Sequence, residues 1–245
     1  LGIKNSDYLI SDKNLVYENE LNSYKEQIIF LPEIWNALSR PENLPEIDKF
    51  KDKNSNLIFC SFNNFQKLSD RTINVWSRIL KETNAKILLK DSLTGGDDLK
   101  ENVLNKFLKQ GVKENQITFL KREKNNEDHI NLYNKANVAL DTFPYPGVTT
   151  SCEAILMGLP VLTMKGFNFN SRCGESINKN INMDHLIAND EDDYVEKAKS
   201  LIFDKKLNEK YGVKLRDKAL KSPLFDTNKF TKNFENLIFD IYQKN

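Results

Sequence analysis

A strong charge bias and long apolar runs are both missing from this sequence. Its 245 residues carry a net charge of +1, with 29% charged and 39% hydrophobic residues. A chain without a basic or acidic excess gives no indication of a nucleic-acid or membrane partner. No apolar run approaches the length of a bilayer span, and no basic segment leads into an apolar one as in a secretory leader. We therefore expect a cytoplasmic protein of one large or two small domains.

Cysteine and histidine are scarce, which argues against several kinds of site. The three cysteines, Cys60, Cys152 and Cys173, lack the short paired spacings of a zinc site or a disulfide framework and are expected to be reduced. His185, one of two histidines, is too isolated to propose a metal. The motifs GxxxxGKS, GxGxxG, HExxH and GxSxG are also missing. We expect no metal site and no bound cofactor.

One stretch, residues 138–164, combines a strand, a polar turn, a helix and a second strand. Pro144 and Pro146 exclude a helix directly after the first strand, and the hydroxyls at 149–151 can each cap a helix over residues 153–157. A turn rich in glycine and hydroxyl groups, leading from a parallel strand into a helix N-terminus, offers N–H groups and a positive dipole end to an anion such as a phosphate. An ordinary turn whose threonines only cap the helix is an equally open interpretation of the local sequence.

Strand-like and helix-like segments alternate through the middle of the chain. This alternation of strands and helices implies βαβ units with right-handed crossovers, and hence an α/β fold with a doubly wound parallel sheet. Either Ser69 or Asp70 is the expected N-cap of the first of these helices. The predicted strands are residues 57–62, 86–89, 116–120, 138–140 and 161–164, and the predicted helices between them are residues 70–83, 99–110, 128–135 and 153–157, with loops at 91–98 and 121–126.

The two ends of the chain are organised differently. Residues 1–50 hold short strand-like runs and no obvious core of their own, so we interpret them as the edge of something larger, followed by a polar linker that ends near Asn56. After residue 164 we predict helices from near Ser171, from Glu191 and over 207–220, with a short strand or turn at 183–187. A break at 222–226 precedes a last amphipathic helix over 227–242.

Several polar residues follow the predicted strands. In a doubly wound sheet, ligands bind beyond the carboxyl ends of the strands, which places Asn64, Lys67, Lys90, the loop before His129 and the turn at 148–153 on one rim. The ammonium group of Lys67 is placed to offset the charge of a diphosphate leaving group, and Lys90 directly ends a buried strand. Residue type alone favours a solvated surface lysine at both positions.

Three further side chains also have two open interpretations. Glu153 is placed to accept hydrogen bonds from a ribose hydroxyl pair, or is simply an acid that favours a helix N-terminus. His129 begins a helix on the rim, where ligand contact and a capping role stay equally open. Arg172 is either an anion contact or a surface cap.

A set of motifs occurs in order along the chain. They are FCSFNNFQK at 59–67 with Trp76 nine residues on, LDTFPYPGVTTSCEAILMGLPVLT at 140–163, SRC at 171–173 and SPLF at 222–225. Over roughly residues 57–242 they resemble the carboxyl-terminal catalytic region of the O-linked N-acetylglucosamine transferase family, glycosyltransferase family 41, including its SPINDLY-like members. The segments DYLISD at 7–12 and IIFLPEIW at 28–35 resemble the tail of that family's first catalytic lobe.

The resemblance implies a GT-B fold, in which two Rossmann-like lobes face each other and the second lobe holds the UDP of UDP-N-acetylglucosamine without a metal. It also implies that residues 1–50 are a remnant of the first lobe with a linker, and that residues 51–245 are the nucleotide-sugar-binding lobe. By position, Lys67 matches the family's catalytic lysine on the diphosphate. Thr149 and Thr150 match the pair on the β-phosphate.

Other positions match the family less closely. Asn64 stands where the family often has a glutamine near the phosphates, His129 matches a histidine of the UDP pocket, and Glu153 replaces an aspartate that binds the ribose. Val148 replaces a histidine that precedes the threonine pair in many members, and Asn126 replaces a lysine common near the base. The resemblance therefore implies diphosphate binding more directly than a particular base or sugar.

The resemblance leads to one main hypothesis and two alternatives. The main hypothesis is an inverting, metal-independent glycosyltransferase that moves N-acetylglucosamine or a related sugar from a UDP-sugar to Ser or Thr of a protein. The alternatives are a GT-B transferase acting on a glycan or lipid, and a non-catalytic module that binds nucleotide sugars. The expected partners are a UDP-sugar, a protein acceptor, the missing N-terminal catalytic lobe and the tetratricopeptide repeats of the family.

Overall fold

The computed structural model describes residues 5–48, 57–90, 96–121 and 123–244. Most of the loop predicted at 91–98, and the predicted end of the linker at Asn56, lie outside these residues. The strands within the described ranges are β1 Tyr8–Ser11, β2 Gln27–Phe30, β3 Ile58–Ser61, β4 Lys86–Lys90, β5 Ile117–Leu120, β6 Val138–Leu140, β7 Val161–Met164 and β8 Ile187–Ala188. The α-helices in the same ranges are α1 Asp70–Thr83, α2 Gly96–Lys109, α3 Asn126–Asn131, α4 Thr149–Leu156, α5 Cys173–Asn180, α6 Glu191–Ile202, α7 Leu207–Lys210, α8 Gly212–Leu220 and α9 Thr227–Lys244.

The main sheet has six parallel strands in the order β5-β4-β3-β6-β7-β8. The chain runs outward from β3 through β4 to β5, then returns to the other side of β3 and continues through β6 and β7 to β8. Right-handed crossovers in the two opposite directions place α1 and α2 on one face of the sheet and α4 on the other. The predicted doubly wound parallel sheet is confirmed.

Apolar strands and one face of each helix form the core between these layers. Every residue of β6 and β7 is buried, as expected of central parallel strands covered on both faces. On α1, Trp76 and Ile79 are fully buried, and this helix packs against α2 and α6. The predicted N-cap of α1 is Ser69, whose hydroxyl accepts a hydrogen bond from the backbone N–H of Thr72 at 3.1 Å.

Three helices differ from the prediction. The helix expected at 128–135 begins earlier and ends at Asn131, where a 3-10 helix over Leu132–Lys135 follows it. The helix expected at 153–157 begins four residues earlier, at Thr149, with Val148 in the N-cap position and no side-chain cap, so the hydroxyls at 149–151 lie in the first turn of α4 and do not cap it. The single helix expected at 207–220 is divided into α7 and α8. The division falls at Tyr211, directly before Gly212, which has a φ of +49° and donates its N–H to the carbonyl of Gly158 at 3.0 Å.

The described part of the N-terminal segment, residues 5–48, packs against the carboxyl-terminal half of the chain. Its strands β1 and β2 pair in parallel, and Ile34 joins the main hydrophobic core. The backbone N–H of Leu38 donates to the carbonyl of Leu224 at 2.8 Å. The division of the chain into two domains near residue 50 stays a prediction.

Candidate functional site

The strand order brings two distant loops together. The carboxyl ends of β3 and β6 lie side by side. From this point the chain adds strands to the sheet in two opposite directions, and such a switch point opens a crevice in which doubly wound proteins bind ligands. The segment after β3 contributes Asn63 and Lys67, and the segment after β6 contributes the turn from Asp141 to Thr150. Lys90 ends the neighbouring strand β4.

Lys67 points from a short 3-10 turn, Phe65–Lys67, toward the loop after β6. The side chain of Asn64 caps this turn by accepting a hydrogen bond from the backbone N–H of Gln66 at 2.9 Å. The Nζ atom of Lys67 donates to the carbonyl of Pro146 at 3.0 Å and lies 4.4 Å from the centre of the Tyr145 ring. Burial lowers the pKa of Lys67, and the nearby carboxylate of Asp141 opposes that shift.

Asp141 is a buried carboxylate at the base of the turn, 1% exposed, and the sequence analysis did not select it as a site residue. Its Oδ1 atom accepts hydrogen bonds from the backbone N–H groups of Gly147 at 2.6 Å and Thr142 at 3.0 Å, and Oδ2 accepts from the hydroxyl of Thr163 at 3.0 Å. Burial raises the pKa of Asp141 to about 6, although these hydrogen bonds and Lys67 oppose the shift. The carboxylate therefore fixes the shape of the turn. Its position in the sequence, directly after a fully apolar strand and before a turn that contains glycine, was the signal that could have identified Asp141 as a site residue.

Asn63 joins Asp141 to the first turn of α4, and it too was overlooked in the sequence. Its Nδ2 atom donates to Oδ1 of Asp141 at 3.2 Å, and its Oδ1 atom accepts from the hydroxyl of Thr150 at 2.7 Å. Gly147 lies tightly against this link, because a Cβ atom there would come within 2.5 Å of Thr150 Oγ1 and 2.8 Å of Asn63 Oδ1. Only glycine fits this position without a shift of its neighbours.

The N-terminus of α4 faces the crevice. Val148 and Thr150 are half-buried and Thr149 is exposed. The first N–H groups of a helix have no partner within the helix, and together with the positive end of its dipole they favour a bound anion. The predicted anion-binding turn is therefore brought next to the ammonium group of Lys67, which contacts the same loop.

A second polar cluster lies beside this turn. The Nζ atom of Lys90 contacts Nδ1 of His129, and Nε2 of His129 lies 3.1 Å from Oε2 of Glu153. The hydroxyl of Tyr133 lies within hydrogen-bonding distance of two acceptors, Oε2 of Glu153 at 3.1 Å and the carbonyl of Thr150 at 3.0 Å. The structure thus brings together three residues predicted from separate parts of the sequence, and it adds Tyr133, which contacts both Glu153 and the Thr150 carbonyl of α4.

Arg172 does not belong to this site. Its guanidinium group donates to both carboxylate oxygens of Glu20, at 2.5 and 2.6 Å, and also to the carbonyls of Leu15 and Gly166. The group lies 3.9 Å from the centre of the Tyr17 ring, and the residue is 3% exposed. The interpretation of Arg172 as an anion contact or a surface cap is wrong, because a partner far away in the sequence occupies its donors.

Neither a metal-binding cluster nor a membrane-spanning helix is found in the described ranges. No three or more His, Cys, Asp and Glu side chains converge there in a group able to hold a metal ion. No helix in the same ranges has the length and apolar character needed to cross a bilayer.

The fold matches that of solved glycosyltransferases. An O-GlcNAc transferase mutant from Thermobaculum terrenum aligns with a TM-score of 0.82 and 25% identity over 97% of this chain and 44% of that one. The sucrose-phosphate synthase of Thermosynechococcus elongatus shares the fold, with a TM-score of 0.66 and 15% identity over 99% of this chain and 60% of that one. The described fold is that of a Rossmann-like lobe of a GT-B glycosyltransferase.

The sequence places the chain more narrowly within this class. The profile of glycosyl transferase family 41 matches residues 42–234, so the chain belongs to that family. A probable UDP-N-acetylglucosamine–peptide N-acetylglucosaminyltransferase SPINDLY of Solanum lycopersicum is 31% identical over 99% of this chain and 26% of its own length. The corresponding SEC protein of Arabidopsis thaliana is 26% identical over 96% of this chain and 25% of its own length. The chain therefore spans about a quarter of the length of the curated relatives it matches.

Proposed function

We propose that this chain is the donor-binding part of a glycosyltransferase that moves N-acetylglucosamine or a related sugar from UDP to Ser or Thr of a protein. The observation that carries the proposal is the convergence of Lys67 with the N-terminus of α4 at the switch point between β3 and β6. The names of the SPINDLY and SEC relatives, both given as probable peptide N-acetylglucosaminyltransferases that use UDP-N-acetylglucosamine, support the same substrate class.

In the proposed reaction, neutralising the leaving group is the task of this chain. The acceptor hydroxyl releases its proton to solvent as its oxygen bonds to C1 of the sugar from the face opposite the diphosphate. The bond from C1 to the diphosphate oxygen breaks, and its electron pair stays on UDP. The ammonium of Lys67 and the N–H groups at Thr149 and Thr150 stabilise that growing negative charge, since they are fixed before the reaction begins. This assignment makes the transfer inverting and independent of a metal.

The second polar cluster is assigned to the nucleoside. Glu153 is proposed to accept hydrogen bonds from the ribose, while His129 and Lys90 hold its carboxylate in place and face the nucleotide pocket. Asn64, which caps the Lys67 turn, is proposed to lie near the phosphates. Val148 borders the phosphates where the resemblance implies a histidine, so we propose that this contact is apolar in this protein.

The remaining three quarters of such a protein are proposed to supply the acceptor side of the reaction. By resemblance these parts are the first catalytic lobe and tetratricopeptide repeats that present the acceptor polypeptide. The lobe described here then acts with them and not alone. The shares of the relatives that it covers, 26% and 25%, are consistent with this division.

Product analysis of the full-length protein tests the proposal. The protein is incubated with UDP-N-acetylglucosamine and a library of Ser- and Thr-containing peptides, and the products are measured by mass spectrometry. We expect the mass of one N-acetylhexosamine on a hydroxyl side chain. Sugar found only on a glycan or lipid acceptor would contradict the protein-acceptor assignment, and nucleotide binding without any transfer would favour a non-catalytic module.

A further inference from the structure

Asp141 and Asn63 have no phosphate contact in the proposed function, although they are linked by hydrogen bonds to Thr150, which has one. We propose that Asn63 is a positioning residue that fixes which proton donors of the α4 N-terminus face the donor diphosphate. This inference rests on the proposed function and adds a specific division of labour between Thr149 and Thr150.

The direction of each hydrogen bond follows from the groups around Asp141. Its carboxylate is met by donors, namely two backbone N–H groups and the hydroxyl of Thr163, so it acts as an acceptor. The atom of Asn63 that faces Asp141 must therefore be the amide nitrogen, and the amide oxygen faces Thr150. Because that oxygen only accepts, the single hydroxyl proton of Thr150 is directed to Asn63.

This orientation changes what each threonine offers to a phosphate. The hydroxyl of Thr150 presents lone pairs to the crevice, which do not attract an anion, so Thr150 contributes its backbone N–H. The hydroxyl of Thr149 is on the exposed side of the turn and keeps a proton for a phosphate oxygen. The resemblance implies both threonines as β-phosphate contacts, and the geometry assigns the hydroxyl contact to Thr149 alone.

The packing around Gly147 leaves this link little freedom. A Cβ atom at Gly147 would lie within 2.5 to 2.8 Å of oxygen atoms of Thr150, Ser151 and Asn63. On the other side, a Cβ atom at Gly174 of α5 would lie 2.7 Å from Oδ2 of Asp141. The carboxylate and its amide partner are thus held between two close backbone approaches, which restricts their positions.

The titratable groups that face this link come from four segments, one of them α6, whose Tyr194 donates its hydroxyl to the carbonyl of Asp141 at 2.9 Å. Lys67 follows β3, Cys152 and Glu153 belong to α4, and Cys173 begins α5. Lys67 is the cation among these groups, and its ammonium donates to the carbonyl of Pro146. A new carboxylate at position 63 would therefore interact chiefly with Asp141.

A double-mutant cycle tests whether Thr150 acts through Asn63. UDP affinity of the 245-residue chain is measured by calorimetry for Asn63→Ala, Thr150→Val and the double variant, with thermal unfolding as a check that each variant folds. We expect about a tenfold loss for each single variant and no further loss for the double variant, since both remove the same link. Thr150→Ser, which keeps the hydroxyl, should restore affinity, and Thr231→Val on the exposed side of α9 serves as the matched threonine control.

The cycle distinguishes failure of this inference from failure of the proposed function. Suppose that the wild-type chain binds UDP. If Asn63→Ala then binds UDP equally well, or if the affinity losses of the two single variants multiply in the double variant, the positioning role is overturned while the donor site stands. If the wild-type chain binds no UDP, the donor site is overturned and this inference with it.

The pH profile of Asn63→Asp gives a readout that a purely steric role would not change. Two carboxylates at positions 63 and 141 repel each other and share a proton more readily as the pH falls. A protonated pair restores a donor between them, so UDP affinity relative to wild type at the same pH should rise from about a tenfold deficit at pH 8 to within about threefold at pH 6. A ratio that does not change with pH would contradict the proposal.

Discussion

Two cationic side chains that were candidates for anion binding have very different surroundings. The guanidinium group of Arg172 is 3% exposed and its donors are met by Glu20, Leu15 and Gly166. The half-buried ammonium group of Lys67 has one carbonyl acceptor at 3.0 Å and otherwise lies over the Tyr145 ring. One cation is neutralised by the protein itself, whereas the other lies at the open crevice beside a helix N-terminus.

The difference shows that a buried cation paired with a carboxylate stabilises the fold, whereas a cation at the crevice is available to a ligand. The Arg172 and Glu20 pair joins the N-terminal segment to the turn before α5, and the charge of this buried cation is already balanced by a bidentate carboxylate. Lys67 retains donors for a ligand and is desolvated, and both properties strengthen its interaction with a phosphate. The experiments below test this contrast, from the largest expected effect to the smallest.

Loss of the Lys67 ammonium should have the largest effect. In the full-length protein, Lys67→Ala is expected to lower the rate of sugar transfer by about 10²- to 10³-fold, the usual loss when one fixed charge-stabilising donor is removed. UDP affinity should fall less, because the charge on the diphosphate grows during the reaction. The rate is measured with radiolabelled donor, and Lys86→Ala, at the amino end of β4, is the lysine control. Unchanged turnover would remove Lys67 from the mechanism.

The stability of the turn should depend on pH through Asp141. Burial raises its pKa from 3.8 to about 6, so between these values the folded protein binds more protons than the unfolded chain and its stability falls as the pH rises. Asn does not titrate, so the free energy of unfolding of wild type minus that of Asp141→Asn should fall by about 2 kcal/mol from pH 4 to pH 7. Urea denaturation at four pH values measures this difference. A constant difference would show that Asp141 has no raised pKa.

Removing Arg172 should affect stability and spare nucleotide binding. Arg172→Ala leaves the carboxylate of Glu20 and two carbonyls without their donors, and the free energy of unfolding should fall by about 2 kcal/mol. Arg172→Lys keeps the charge but loses the bidentate geometry and should recover only part of this. Chemical denaturation and UDP calorimetry are run on the same samples. A tenfold loss of UDP affinity at unchanged stability would make Arg172 an anion contact after all.

Lys90 should have the smallest effect among these cations. It contacts His129, which in turn contacts Glu153, so its influence on the nucleotide is exerted through two other side chains. Lys90→Met, which keeps the length of the apolar stem, is expected to lower UDP affinity by less than about tenfold. Calorimetry at low and moderate salt measures this change. A loss equal to that of Lys67→Ala would indicate a direct phosphate contact.

The strands were predictable because their signal is local. Apolar runs mark β6 and β7, and their predicted bounds agree with the structure. The start of α4 was not predictable in this way, since the turn before it is shaped by hydrogen bonds from Gly147 and Thr142 to the buried carboxylate of Asp141. A helix that starts after a turn fixed in this manner needs no side-chain cap, and the local sequence suggested one.

The site was predictable only in part, for a similar reason. Because parallel strands end at a common edge, Lys67, Lys90, His129 and Glu153 were predicted to lie on one rim, and in the structure the last three contact one another. Asn63 was missed because its role depends on two partners, 78 and 87 residues away, and Arg172 was misinterpreted because Glu20 lies 152 residues away. No sequence window contains such pairs.

Calorimetric titration of the 245-residue chain with UDP, UDP-N-acetylglucosamine and GDP tests the central claim most directly. The claim is that Lys67 and the N-terminus of α4 together form a nucleoside-diphosphate site. It predicts saturable one-to-one binding of UDP or its sugar, weakened by Lys67→Ala and retained by Arg172→Ala in folded protein. The absence of binding to any of the three ligands by a folded wild-type chain would contradict it.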